Sequence, residues 1–339
     1  MAKRRTRAKY LDTLTFIDEP QLIALEIGRT KGLGLAIDPG TIEGSDFLVV
    51  SLTEENWNRY FRDHVDLEYL FSYPTNRRLF HFASSDWEGD TVMMNKLEGN
   101  PPADALPGKG IFARSHTSDA FRDSSSQSTQ TMYIDGDWEL DEFGAFYKKY
   151  AEVYAFLATV RNHADGGISQ AYKGRAISAF QEYPLRGGSS YLHLFSSLPN
   201  CIPNEQRLGL EGIDYHSPGA VEMRGQDDKL DQTSVLVKRH LNNRPSTKLA
   251  HDILKAYLQK TKLLTQSARD FSSENAHSNT ILKYTAELNE EMGIIAHRTV
   301  LSMCGDNVLA FAKISLGLYR RLDVAAAFFA EGRMDYRSD

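Results

Sequence analysis

The chain has 339 residues, and a domain takes ~100–200, so the length fits about two domains of ordinary size. Hydrophobic residues at 41% and charged residues at 25% exclude a disordered, collagen-like or coiled-coil chain. The apolar run Val324–Ala330 falls far short of the ~20 residues that span a bilayer, so no membrane association is expected.

Two cysteines, Cys201 and Cys304, stand without any metal-ligand neighbour, which excludes a disulfide framework and a cysteine-based zinc site and points to a reducing cytoplasm. The opening Met-Ala-Lys-Arg-Arg-Thr-Arg-Ala-Lys-Tyr is basic but has no apolar stretch of a secretory signal. Of the 39 Lys and Arg, five lie in this arm, leaving 34 against 45 Asp and Glu elsewhere. An acidic body repels polyanions, whereas Arg4, Arg5 and Arg7 could still reach a phosphate backbone. The plainer reading of the arm is a frayed, solvated terminus.

In chain order, Leu11–Ile17, Gln21–Ile27, Gly34–Ile37 and Phe47–Leu52 read as strands between turn-forming Asp-Glu-Pro, Gly and Asp-Pro-Gly segments. Pro20 fixes a turn that Phe16 and Leu22 flank, and both are expected in the core. A capping box at Ser51–Glu54, followed by Trp57, Tyr60 and Phe61 at helical spacing, predicts a helix from about Thr53 to Asp63. A further helical turn is expected at Asp66–Phe71, then strands at Arg78–Ala83 and Thr91–Leu97. Residues 10–98 therefore read as a β-rich α+β module.

Residues 99–130, rich in Pro, Gly and Ser and poor in large apolar side chains, read as a linker or mobile excursion. Residues 131–339 read as a mainly helical α+β domain. Its helices are expected from Asp137 through Leu157, at Tyr191–Leu198, and around Asp228–Leu241, Ser246–Asp270, Ser278–Met292, Gly293–Met303 and Asp306–Glu331. Two strands are expected at Leu210–His216 and Ala220–Met223, bent at Ser217-Pro218-Gly219. The fold class is thus α+β, a small N-terminal β-rich module followed by a larger, mainly helical domain.

Chemical motifs are few. Gly32-Leu33-Gly34 lacks the third glycine of a dinucleotide loop, and no Walker, His-Glu-x-x-His or Gly-x-Ser-x-Gly pattern occurs. Asp135 to Asp141 begins like a calcium loop but has Leu140 and Phe146 at positions that need glycine and a bidentate acid. No cofactor or metal motif is written in the chain. Asp214 with Glu222-Met223-Arg224 resembles the acid pairs of metal-dependent nucleases, with His216 beside them. Arg224, however, occupies the place of the proton-carrying Lys. Lys238, Arg239, Lys248 and Lys255 belong to a basic segment running to Lys262, a second candidate nucleic-acid surface. The more ordinary reading is a solvated helix face.

Phe16-Ile17-Asp18-Glu19-Pro20-Gln21-Leu22, the Ser51–Phe61 segment and Val65–Phe71 resemble a bacterial domain family of unknown function, over roughly residues 10–97. Pro184–Ser190 and Tyr215–Gly219 look like segments that accompany that domain in longer proteins. The family supplies no catalytic residues. The resemblance implies a cytoplasmic bacterial protein acting as a non-catalytic binding, sensor or accessory subunit, with antiviral defence as the setting. A metal-dependent nuclease or other hydrolase using Asp214, Glu222 and His216, and a nucleic-acid binder, are the competing readings. A protein partner or a second copy is expected on the C-terminal helices, because Asp306–Glu331 carries apolar residues on more than one face.

Overall fold

Short β-branched and aromatic runs, cut by residues that accept left-handed backbone such as Asp18 and Gly28, fold the first part of the chain into an antiparallel barrel. Its strands are β1 (Thr6–Ile17), β2 (Glu19–Ile27), β3 (Thr30–Ala36), β4 (Phe47–Leu52), β5 (Arg78–Phe82), β6 (Trp87–Glu88) and β7 (Thr91–Lys96). They run in the order β1-β2-β3-β4-β5-β7-β6, and β1 closes the ring by pairing with β7, Thr6 against Met94 and Lys9 against Thr91. The structure, a computed structural model, describes residues 5–74, 77–115, 127–165, 168–182, 191–272 and 274–336.

The barrel interior holds Ala8, Ile23, Leu25, Ile27, Phe47, Val49, Phe80, Phe82, Val92 and Met94. Strand β3 contributes space there rather than bulk. A Cβ on Gly32 would lie 2.6 Å from Ile27 Cδ1 and 2.7 Å from the Val50 carbonyl, and one on Gly34 2.8 Å from Ile23. These glycines sit inside a strand because neighbouring isoleucines need the room. One outer face, with Leu22, Ala24, Leu33, Leu48 and Val50, is covered by α1 (Glu54–Phe61) and α2 (Leu67–Ser72) through Trp57, Tyr60, Leu70 and Phe71. Thr53, rather than Ser51, caps α1 by accepting from Asn56 N–H, and Asp66 caps α2 by accepting from Tyr69 N–H.

Two expectations for this region are corrected. Phe16 is exposed, because the β1–β2 pairing carries it, opposite Pro20, out to the hairpin tip beyond the covered face. Residues 99–115 are not a loose linker. Gly110 N–H donates to Asp66, Leu67 N–H to the Ile111 carbonyl and Arg114 N–H to Asp63, while Ala105 and Ala113 are buried in the core under the two helices. Backbone bonding to caps and small buried alanines hold a segment that composition reads as open. Residues 116–126 of the expected linker lie outside the described residues, and 127–134 form a strand.

The chain divides into Met1–Ser124 and Ser125–Asp339. The second unit carries the antiparallel sheet β11-β8-β10-β9, from β8 (Gln127–Ile134), β9 (Gly209–Asp214), β10 (Gly219–Gln226) and β11 (Met334–Tyr336). Met132, Ile134, Val221, Met223, Met334 and Tyr336 face a helical core. The helices are α3 (Leu140–Asp165), α4 (Gln170–Gln181), α5 (Leu192–Ser197), α6 (Asp227–Asn242), α7 (Arg244–Lys260), α8 (Ser278–Met292), α9 (His297–Met303) and α10 (Val308–Ala330).

Helix α7 ends well before Asp270, with Thr261 as its C-cap and Lys262 in left-handed backbone. Helix α4 has no counterpart in the sequence reading, because only Ala176, Ala179 and Phe180 of it are buried and the apolar period is faint. Helix α10 packs against α3, α6, α7 and α8, burying nearly every residue from Val308 to Leu322. From Val308 to Leu322 its apolar faces are consumed inside the unit, while Val324 further along stays 43% exposed. No helix among the described residues is long and apolar enough to cross a membrane.

Candidate functional site

Asp214 ends β9, His216 follows in the bend and Glu222 lies on β10. The β9–β10 register sets Asp214 opposite Ala220 and Glu222 opposite Gly212. Both acids therefore occupy the outer sheet face in a diagonal relation, roughly 7–8 Å apart along the backbone and somewhat closer at Cβ by sheet geometry. His216 Nε2 lies 3.0 Å from Asp214 Oδ1, and these side chains are 74% and 70% exposed. Arg224 is engaged with Glu211 at 3.3 Å.

The structure thus joins Asp214 to His216 but leaves Glu222 apart, on an open surface. Among the described residues no three His, Cys, Asp or Glu side chains gather as a metal ion requires. The Asp135 segment is tied down locally: Asp135 accepts from the Ser217 hydroxyl and from Gly136 N–H, contacts that hold its carboxyl below the usual carboxylate range.

The basic candidates are dispersed. Arg5 pairs with Asp86 and donates to the Met93 carbonyl, and Arg7 donates to Thr91 at 3.0 Å, so both are bound to the barrel rather than frayed. Arg4 lies outside the described residues. Lys238 rests 5.1 Å above the Tyr336 ring, Arg239 donates to the Glu290 carbonyl, and Lys248 and Lys255 lie on α7. Lys238 and Arg239 are committed to local contacts rather than to a shared groove.

A polar cluster that no sequence motif marks joins α6, α7 and α10. Buried His240 places Nε2 3.1 Å from Asp323, which Arg244 also contacts at 3.2 Å. His251 stacks on Tyr319 with ring centroids 4.2 Å apart and contacts Asp252 at 2.9 Å. Burial pushes both histidines below their ordinary pKa against the pull of the two aspartates, and it raises the Tyr319 hydroxyl to about 12. Neutral imidazoles packed on a tyrosine hold three helices in register. His240 and His251 are 11 positions apart and pack against a third helix, so no local spacing could reveal the cluster.

Among the described strand residues of the barrel, the most exposed large apolar side chains lie at the β1–β2 hairpin tip. Phe16 and Ile17 are 65% and 66% exposed, beside left-handed Asp18 and exposed Glu19. What fold and surface define is a two-unit α+β protein, a closed antiparallel barrel and a helical unit on a four-stranded sheet. Comparison with protein-family models, with characterised proteins and with solved structures finds no match to this chain.

Proposed function

We propose that the protein is a binding subunit of a bacterial multi-protein system, antiviral defence being the first setting to test, and that its barrel engages a protein partner through the β1–β2 hairpin tip. The observation that supports this reading is the adjacent exposure of two large apolar side chains, Phe16 and Ile17, at the tip of the β1–β2 hairpin. Fully burying each would contribute about 1.5–3 kcal/mol, enough for two side chains to anchor a small interface. Asp18 and Glu19 directly follow, so the complementary surface is an apolar pocket with a basic rim.

A photo-crosslinking residue at position 16, introduced into the full chain in its native cells, should give a discrete adduct with one protein. The same label at Glu88, exposed on short strand β6, should give none. Loss of the adduct in Ile17→Asp, with an unchanged melting temperature, is the expected companion result. Absence of a position-specific adduct, or an adduct indifferent to Ile17→Asp, overturns the reading.

A further inference from the structure

Strand β9 is an edge: in the order β11-β8-β10-β9 it pairs only with β10 among the described residues. An open edge presents unpaired N–H and C=O groups that another strand can pair with, and proteins blunt such edges with charged side chains, Pro, a bulge or a cover. Gly209-Leu-Glu-Gly-Ile-Asp contains neither Lys nor Pro, and its two apolar side chains, Leu210 and Ile213, are 43% and 46% exposed. The barrel of the first unit, by contrast, closes its ring through the β1–β7 pairing.

The local geometry makes this edge complementary to itself. Gly212 pairs with Glu222 and Leu210 with Met223, so Glu211 is an extra residue, a bulge. Without it, Leu210 and Ile213 would point to opposite faces. With it, Leu210 shares the face of Met223, and Ile213 shares the face of Val221. We propose that β9 pairs antiparallel with β9 of a second copy of this chain, about a two-fold axis at Gly212, merging two four-stranded sheets into one of eight. Counting past the bulge, this register sets Leu210 against Ile213, Gly212 against Gly212 and Asp214 against Gly209. Each apolar side chain meets an apolar one, and Asp214 meets a glycine instead of a like charge. A two-fold centred on Leu210 or on Ile213 leaves part of the strand without a partner, so Gly212 gives the longest overlap. The surface is isologous, as a closed dimer requires. It involves residues of the second unit alone and stands independently of the hairpin-tip reading.

The axis at Gly212 gives a direct test. Residues facing each other across an antiparallel pair have Cα atoms about 4.5–5.5 Å apart, inside the ~4.4–6.8 Å that a disulfide spans. Gly212 tolerates a side chain, since a Cβ there meets nothing nearer than the Glu222 carboxylate at 3.5 Å, and the native Cys201 and Cys304 are buried. Under mild oxidation the full chain with Gly212→Cys should form a covalent dimer that reductant reverses. Gly209→Cys alone should stay monomeric on a denaturing gel, while Gly209→Cys combined with Asp214→Cys should crosslink. By sedimentation, the unmodified chain should dimerise at micromolar to tens of micromolar concentration, and Ile213→Lys should weaken it at least tenfold with an unchanged melting temperature. A folded Gly212→Cys chain that gives no covalent dimer overturns the proposal. So does a dimer indifferent to Ile213→Lys, which would place the contact elsewhere, or a chain strictly monomeric at 100 micromolar.

Discussion

Glu152 on α3 and Arg321 on α10 meet at 2.6 Å, carboxylate oxygen to Nε, with side chains only 10% and 5% exposed. Lys149 reaches the same carboxylate at 3.0 Å, Arg321 Nη1 donates to the Gly317 carbonyl, and the guanidinium lies 3.6 Å from the Phe195 ring centroid. Burial presses the Arg321 pKa down while Glu152 opposes it. The pair thus fixes the central helix α10 against α3 inside an apolar core, where one charge without the other is costly.

Glu152→Ala should therefore destabilise the second unit by about 3–5 kcal/mol, through the stranded guanidinium rather than through lost packing. Glu152→Leu combined with Arg321→Met should recover most of that loss. Chemical denaturation of the two variants beside the unmodified chain checks this, and a double variant no better than the single one would locate the cost in packing.

At the hairpin tip the expected effect is small. Phe16→Ala should change stability by no more than about 0.5 kcal/mol, as an exposed substitution does, while Leu22→Ala, buried at the barrel face six residues later, should cost about 2–5 kcal/mol. Thermal melts of the two variants separate these outcomes directly.

The contrast between Phe16 and Leu22 shows what sequence patterning conveys. Short β-rich runs between turn residues located β2, β4 and β5, and a capping box with helical spacing located α1, because those signals lie within a few residues of their elements. Patterning could not say where the covering helices stop, which is why Phe16 reads as core from sequence and stands in solvent. Strand β8 was hidden for a related reason: its Gln-Ser-Thr-Gln-Thr run is polar, and its place is set by pairing with β10 and β11 across long stretches of chain. The acid pair Asp214 and Glu222 was legible as chemistry but not as geometry, since the β9–β10 register decides that His216, and not Glu222, contacts Asp214. The cluster of His240, His251, Tyr319 and Asp323 exists only after three helices pack.

That cluster predicts acid sensitivity. His240 and His251 are held neutral by burial, so their folded pKa values lie below the ordinary ~6.5 of the unfolded chain. As pH falls below ~6.5 the unfolded state binds protons first, and stability present above that value is lost, by up to about 1.4 kcal/mol per pH unit for each histidine. Replacing His240 by Asn should make the fall in stability below pH ~6.5 shallower than in the unmodified chain. A slope equal to that of the unmodified chain would mean that His240 titrates normally in the fold.

Lys313 sets the corresponding behaviour on the alkaline side. It lies almost wholly buried on α10, its ammonium donating to the Gln266 carbonyl, and burial lowers its pKa from 10.5 to about 8. Below pH 8 both folded and unfolded chains carry the proton, so the cost of the buried charge is present in full. Between about 8 and 10.5 the folded lysine releases its proton while the unfolded one retains it, and stability gains roughly 3 kcal/mol across the window. Buried Cys304 and several buried tyrosines act in the opposite sense at high pH, because burial raises their pKa values. The Lys313 contribution is therefore read as the difference between the unmodified chain and Lys313→Met. At pH 7 the methionine variant should be the more stable, by up to about 3 kcal/mol less the roughly 1 kcal/mol of the hydrogen bond to Gln266. The advantage should shrink steadily from pH 8 upward and vanish near pH 10. Urea titrations at closely spaced pH values check it, and a difference that stays constant from pH 7 to 10 would show that Lys313 keeps its proton inside the core.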